Sequence, residues 1–275
     1  MLTARRPVLS HTRSSVCARA ISWRGGVAAA TLLALSGCSH SVKRSDESAT
    51  ATPAPHDEPI NRTVFAFNRG LDNVLLRPVA RGYSHLPEPV RHGVRNFSQN
   101  LREPLVFAND LLQANSLRSL NTAGRFIINS TVGVAGIFDV AGRWGMPRHD
   151  ADLGQTFGVW GIGPGHTVEL PVFGSSNVRD SIGRILTLSF NRLGDNSDTV
   201  STLNTAATLG GIVDGRARAL PLTDRLERSP DYYAALRDNA AARRVALVAD
   251  GKRGDVHSAE AAGEGRSATG LPVNP

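Results

Sequence analysis

Hydrophobic and polar positions alternate with helical periodicity along much of this chain, most clearly between residues 116 and 129. Apolar residues recur there every three or four positions, and polar residues fill the opposite face. The apolar set is Leu117, Leu120, Gly124, Ile127 and Ile128, and the polar set is Arg118, Asn121, Thr122, Arg125 and Asn129. The pattern predicts one amphipathic helix that begins at Ser116.

Shorter stretches of the same kind precede this helix. Apolar residues at helical spacing predict a helix that opens at Glu58. Pro87 and Pro89 end one helix and begin another, and Pro104 does the same before a helix over residues 105–112. The sequence therefore predicts a mainly α fold, a single domain of short amphipathic helices.

The run from Phe126 to Ile137 carries no charge, yet it contains several polar residues and two glycines. It is well short of the roughly 20 apolar residues that a membrane-spanning helix needs. Such a segment can lie in a membrane without crossing it. Gly133 and Gly136 are expected to let helices approach closely or bend.

At most one short β-hairpin is predicted. The segments Gln155–Trp160 and Thr167–Leu170 have the composition of two short strands. Between them, Gly161, Gly163 and Gly165 flank Pro164, which favours a turn over a phosphate-binding loop, because such a loop must open a helix.

The first 37 residues have the pattern of an export signal, with five arginines, no acidic residue and an apolar core from Val27 to Leu35. The sequence Leu35-Ser36-Gly37-Cys38 that follows resembles a bacterial lipobox. By that resemblance, cleavage falls before Cys38, whose thiol and new amine become acylated. Two or three acyl chains anchor a protein stably at a membrane, whereas one does so only marginally. Ser39, the residue after Cys38, favours the outer membrane by the same resemblance.

The formal charge of +7 would suggest an anionic partner such as nucleic acid. Removing the five leader arginines from the 31 basic residues leaves 26, against 24 acidic ones. Without a basic block, nucleic-acid binding is not expected. Cys17 leaves with the leader and Cys38 is acylated, so the exported chain would have no thiol left for a disulfide.

The composition divides the chain into four segments. Residues 1–37 are the predicted lipoprotein signal peptide, and residues 38–57 a flexible tether rich in Ser, Thr, Ala and Pro. Residues 58–250 form the predicted helical domain, and residues 251–275 a disordered tail.

No pattern typical of catalysis stands out. The sequence has no Gly-x-Ser-x-Gly elbow and no His-Glu-x-x-His, and the predicted domain has no cysteine nucleophile. His149, Asp150 and Asp152 are the most compact group of ligand-type side chains, but adjacent loop residues rarely converge on one metal ion. No cofactor, metal site or enzymatic activity is expected.

Several segments together resemble one family, that of the MlaA (VacJ) outer-membrane phospholipid-transport lipoproteins. They are NRTVFAFN (61–68), RPVARGY (77–83), VRNFSQNLREPLVFANDLLQ (94–113), GRFIINSTVGVAGIFDVA (124–141), HDADLGQTFGVWGIGPG (149–165) and ELPVFGSSNVRDSIGR (169–184). The resemblance covers the chain from about residue 58 to residue 251, with the motifs in constant order.

The resemblance implies a helical ring in the inner leaflet of the outer membrane, with a polar channel for mislocalised outer-leaflet phospholipids. It also implies association with a trimeric porin and transfer of lipid to a soluble periplasmic carrier. Two other functions stay open, a structural envelope lipoprotein without transport activity and a phospholipase-like enzyme.

A ring-shaped transporter must show some polar side chains to its lumen. The polar face of the 116–129 helix is therefore the predicted channel lining, with Arg125 able to pair with a phosphate headgroup. The alternative is that Arg125 faces water or pairs with a carboxylate such as Asp110 or Asp139. The lumen hypothesis expects Arg125→Leu to fold normally.

Overall fold

The computed structural model describes residues 58–194 and 198–256. Cys38, the predicted signal peptide and most of both predicted flexible segments lie outside these residues. The chain order of the helices and strands is α1 (Glu58–Leu71), a π-helical segment (Asp72–Leu76), α2 (Arg77–Ser84), α3 (Glu88–Asn100), α4 (Glu103–Leu112), α5 (Ser116–Thr131), α6 (Val140–Arg143), α7 (Leu153–Val159), β1 (Thr167–Leu170), β2 (Gly174–Asn177), α8 (Val178–Gly194), α9 (Asp198–Leu226) and α10 (Tyr232–Arg253). The mainly α fold and its single short hairpin among these residues confirm the predicted fold class.

The predicted helix starts are confirmed. Pro89 and Pro104 lie within the first two positions of α3 and α4, where a missing N–H breaks no helical hydrogen bond. Pro78 has the same place in α2, a helix whose start was not predicted. Helix α5 begins at Ser116 as expected, although Asn115 is its N-cap residue. At the other end of the chain, α10 runs to Arg253 and so passes the predicted domain boundary at residue 250.

Aspartate side chains cap three later helices. Asp139, Asp152 and Asp231 accept hydrogen bonds from the backbone N–H groups three positions on, at the starts of α6, α7 and α10. Each cap satisfies a donor that the first helical turn leaves unpaired.

The predicted strand Gln155–Trp160 is wrong, since these residues belong to α7 and the turn after it. Asp152 accepts from the N–H of Gln155 at 2.8 Å. The spacing Asp152-x-x-Gln155 is that of a capping box, a helix-start signal that outweighs the strand-like composition. Thr167–Leu170 is a strand, but its partner is Gly174–Asn177, in antiparallel register from Thr167 opposite Asn177 to Leu170 opposite Gly174.

Two asparagines of α1 fasten the hairpin to that helix. Asn61 donates to the carbonyl of Thr167 at 3.1 Å and accepts from the N–H of Glu169 at 2.9 Å. Asn68, two turns later, donates to the carbonyl of Leu170 and accepts from the N–H of Val172. The two amide side chains therefore pair with backbone groups of β1 and of the turn after it, as a neighbouring strand would.

Helix packing brings distant segments together. Helix α4 packs on α5, α9 on α2 and α3, and α7 on α8 and α10. Glycines permit the α7–α8 approach, because a Cβ at Gly183 would overlap the backbone of Gly154. In the described residues, no helix combines the length and the apolarity needed to cross a bilayer.

Candidate functional site

The interior of the described fold is polar and much of its exterior is apolar. The largest fully buried side chains are Arg118, Arg125, Gln155, Glu103, Val248, Asn109, Thr122, Thr156, Asp110 and Asp214. The exposed apolar residues include Leu117, Leu120 and Ile127 on α5 and Val132, Val134, Ile137 and Phe138 in the turn that follows. Charged side chains are almost never fully buried unless paired, so each buried charge requires a partner.

Arg125 lies at the centre of the buried network. Its Nε contacts Oε1 of Glu103 at 3.3 Å, and its Nη2 contacts Oδ1 of Asp139 at 3.0 Å. Its Nη1 donates to the carbonyl oxygen of Met146. The guanidinium, only 1% exposed, therefore joins α4, α5 and the segments around α6.

The pKa values of the two carboxylates beside Arg125 are shifted in opposite directions. Burial raises the pKa of Glu103, and the neighbouring Arg148 and Arg125 offset that rise only in part. Burial also acts to raise the pKa of Asp139, but the N–H of Gly142 and the Arg125 guanidinium outweigh it, so this pKa is lowered. Asp139 is thus the better stabilised of the two anions.

The other polar residues of α5 are also bonded to protein groups. Asn129 donates to Oδ1 of Asp139 at 3.0 Å and accepts from the N–H of Ala141. Thr122 donates to Oδ2 of Asp110 at 2.8 Å. Asn121, half-buried, donates to the carbonyl oxygen of Pro147.

Arg118 ties α5 to the end of α10. Its Nη2 contacts Oδ2 of Asp250 at 2.7 Å, and its Nε donates to the carbonyl oxygen of Asp255. Its Nη1 is buried and has no hydrogen-bond partner in the described part of the chain. Burial acts to raise the pKa of Asp250, but the neighbouring Arg118 guanidinium outweighs burial. The pKa of Asp250 is therefore lowered, and the pair is charged.

Most residues of the predicted channel lining lie inside the described fold. Arg118, Thr122, Arg125 and Asn129 are buried against protein groups, and Arg125 pairs with Asp139, the alternative that the sequence left open. Direct contact with a passing lipid would require at least one of these pairs to open. The role of the stripe as a channel wall stays a prediction.

The ligand-type residues of the 149–152 loop point to different partners. Nε2 of His149 contacts Oδ1 of Asp110 at 2.9 Å. Asp152 caps α7 and accepts hydrogen bonds from both terminal nitrogens of Arg244, at 2.6 and 2.7 Å. Asp150 is exposed. His149 and Asp152 therefore bind different partners in separate places, and the three side chains do not converge on one point.

A strained turn follows α5. Val134 and Ala135 have φ values of 52° and 55°, in the left-handed region that β-branched residues rarely adopt. Gly136, at φ 87°, lies against Asn100 of α3, whose side chain a Cβ would overlap. The expected close approach at Gly136 is confirmed, and the turn holds its apolar side chains outward.

Sequence reasoning named Arg118 and Arg125, with Asp110 or Asp139 as a possible partner, and missed several other charged groups that are paired in the interior. Glu103, Asp250 and Asp214 were not singled out, although Asp214 lies buried between Arg95 and Arg218 with the hydroxyl of Tyr83 nearby. A carboxylate 132 residues away in sequence leaves no local signal for Arg118 to be matched with.

Comparison with known proteins places this architecture. The sequence model described as "MlaA lipoprotein" matches residues 55–246. An uncharacterised protein of Rickettsia felis is 36% identical over 194 residues, which cover 70% of this chain and 76% of that protein. The intermembrane phospholipid transport system lipoprotein MlaA of Escherichia coli K12 is 37% identical over 131 residues, 46% of this chain and 52% of its own length.

A solved structure also resembles the fold. It comes from work on the structural basis for maintenance of bacterial outer membrane lipid asymmetry, and it is 31% identical with a TM-score of 0.60. The similarity covers 70% of this chain and 97% of that one. With the family match over most of the chain, these findings show that the protein belongs to the MlaA lipoprotein family.

Proposed function

We propose that this protein removes mislocalised phospholipids from the outer leaflet of the outer membrane and passes them to a soluble periplasmic carrier. Its relatives in Escherichia coli and Haemophilus influenzae carry the name of an intermembrane phospholipid transport lipoprotein. The related solved structure comes from work on outer-membrane lipid asymmetry. Membership of the family makes the same role the first expectation for this chain.

The observation that carries the proposal is the reversed distribution of polarity. A water-soluble domain places its apolar residues inside, whereas here Arg125 is 1% exposed and Leu120 is 69% exposed. Exposed apolar area is stable against lipid tails, and buried ion pairs can hold the helices together without an apolar core. This distribution suits a protein that lies within one leaflet and handles amphipathic molecules.

We infer that the anchor is Cys38 and that the helices contribute the rest of the membrane contact. The exposed apolar side chains of α5 and its following turn support an in-plane position. A trimeric porin and a periplasmic carrier are the proposed partners. Replacing Cys38 with Ala should leave an uncleaved or soluble periplasmic form, and normal outer-membrane fractionation of that variant would refute the anchor.

The polar stripe of α5 is proposed to border the lipid path. Arg118 is its best-placed member, because its Nη1 has hydrogen-bonding capacity that the described protein groups leave unused. Because Arg118 is only 2% exposed, a lipid phosphate would accept a hydrogen bond from this N–H only after the contact with Asp250 or Asp255 opens. Arg118→Gln would then slow lipid transfer, whereas a purely structural Arg118 would affect stability alone.

The decisive experiment is deletion of the gene followed by complementation. The proposal expects phospholipid to accumulate in the outer leaflet of the deletion strain, read by labelling of surface phosphatidylethanolamine, and expects the intact gene to reverse it. Unchanged lipid asymmetry in the deletion strain would favour a structural envelope lipoprotein. Lysophospholipid formed in proportion to purified protein would instead favour an enzyme.

A further inference from the structure

Arg184 of α8 differs from the arginines around it. Arg179 contacts Oδ1 of Asp180 at 2.9 Å, and Arg244 holds Asp152 through two nitrogens. Arg184 is half-buried, yet it has no hydrogen bond or ion pair with any described residue. Its guanidinium carbon lies over the ring of Phe173, 5.1 Å from the ring centre.

The nearby carboxylates are already engaged. Both oxygens of Asp152 bind Arg244, and the two oxygens of Asp180 accept from Arg179 and from Asn177. Burial lowers the pKa of Arg184, and Asp152 and Asp180 offset that effect only in part. An arginine stays protonated even so, and no carboxylate of the described residues is in direct contact with this partly desolvated cation.

The two segments that meet at this cation, α8 and the hairpin turn, both expose apolar side chains. Ile182 and Ile185 on α8 are 47% and 59% exposed, and Val172 and Phe173 in the hairpin turn are 61% and 54% exposed. An arginine within such a surface resembles the arginines of membrane interfaces, whose aliphatic stems contact lipid while the charged end reaches the headgroups.

The hairpin turn is held in place against backbone strain. Val172 has φ 70°, which is costly for a β-branched residue, and its N–H donates to Oδ1 of Asn68 at 2.7 Å. This contact fixes the neighbouring Phe173, and therefore the ring that Arg184 covers. The guanidinium is thus held over this ring, and residues 58–194 and 198–256 provide no acceptor for its N–H groups.

We propose that Arg184, seated on Phe173 and bordered by Ile185 and Val172, forms a binding site for the phosphate of a phospholipid headgroup. The guanidinium offers paired N–H donors that match two phosphate oxygens, and the apolar border accommodates the adjoining acyl chains. Free phosphate shares the anionic chemistry but gains nothing from the apolar border. The site rests on the proposed transport function and gives it a headgroup preference for net anionic lipid.

The test uses the full acylated chain incubated with vesicles of equal parts phosphatidylglycerol and phosphatidylcholine, followed by native mass spectrometry of the protein with its bound lipid. Arg184→Gln should lower bound phosphatidylglycerol roughly threefold to tenfold, the range for losing a partly exposed charge-assisted hydrogen bond. Arg184→Lys should retain part of the binding. Arg243→Gln, which removes an exposed arginine of α10, is the matched control and should bind as the wild type does.

Each outcome has a distinct meaning. Equal phosphatidylglycerol on the wild type and Arg184→Gln, with both folded by circular dichroism, overturns the headgroup site while leaving transport intact. Loss of bound phosphatidylglycerol in inorganic phosphate, but not in chloride of the same ionic strength, supports a phosphate-specific site. Wild-type protein that binds inorganic phosphate but shows no preference for phosphatidylglycerol overturns the lipid assignment. A wild type that retains no phospholipid refutes the transport function itself.

Discussion

The two faces of α5 differ in polarity and in exposure, one polar and buried, the other apolar and exposed. The inner face places Arg118, Thr122 and Arg125 among carboxylates, at no more than 2% exposure. The outer face leaves Leu117 and Leu120 more than two-thirds exposed. In a water-soluble protein the apolar face of such a helix would be the buried one, so the exposure of these leucines supports the proposed lipid environment of α5. Ion pairs hold the inner face together, and the proposed membrane position would cover the outer face with lipid tails.

The largest effect is expected from breaking the inner face at its centre. Arg125→Leu leaves Glu103 and Asp139 without their shared cation, which should destabilise the fold by about 3–5 kcal/mol. This replaces the sequence-based expectation that the variant folds normally. Thermal unfolding in detergent measures the effect, with Arg102→Leu at an exposed position of the neighbouring segment as the control. Equal melting temperatures for the wild type and Arg125→Leu would show that the network is dispensable.

A smaller loss of stability is expected from a change in the turn after α5, which joins the buried network to the exposed apolar side chains. Gly136→Ala adds a Cβ at φ 87° against Asn100, which should cost about 1–3 kcal/mol. Gly145→Ala is a useful control, because its φ of 83° is similar but its surroundings are open. The difference between the two variants in urea unfolding isolates the contact with α3, and no difference would remove the packing argument.

The outer face should matter for membrane binding more than for folding. Leu120→Gln keeps a similar length on an exposed position, so unfolding in detergent should change little. Binding to phospholipid vesicles should weaken by about 1–2 kcal/mol, the burial energy of an apolar side chain of this size. Val245→Gln, on an exposed α10 position beside two arginines, should bind unchanged. Flotation with vesicles measures the binding of both variants. Equally weakened binding of Leu120→Gln and Val245→Gln would contradict a lipid-facing α5.

The smallest effect concerns the charge of one inner-face carboxylate. The lowered pKa of Asp139 means that its contribution is full above the ordinary aspartate range and is lost as the pH falls through the folded value. Glu103 behaves oppositely, because its raised pKa makes ionisation cost stability as the pH rises. Asp139→Asn keeps the helix cap and removes the charge, so it should cost less than about 1 kcal/mol at neutral pH. Urea unfolding from neutral to acidic pH should show this gap closing, and a gap that widens on acidification would reverse the assignment.

Much of the secondary structure followed from local rules that a sequence displays. Prolines and apolar spacing located the starts of α3, α4 and α5, because a missing N–H and a repeating apolar side depend only on neighbouring residues. The same reasoning failed at α7, where the strand-like composition of residues 155–160 was outweighed by the Asp152 cap. The spacing of Asp152 and Gln155 was enough to predict the start of this helix, and it was overlooked.

The sequence by itself determined that α5 has a polar face and an apolar face, and that no helix of its length could cross a membrane. Only the tertiary structure decided which face is inside. Periodicity is the same for a helix turned either way, whereas burial of Arg118 and Arg125 depends on carboxylates brought from α4, the α6 cap and the end of α10. Those partners are up to 132 residues away, and such pairings arise from helix packing because no local rule specifies them.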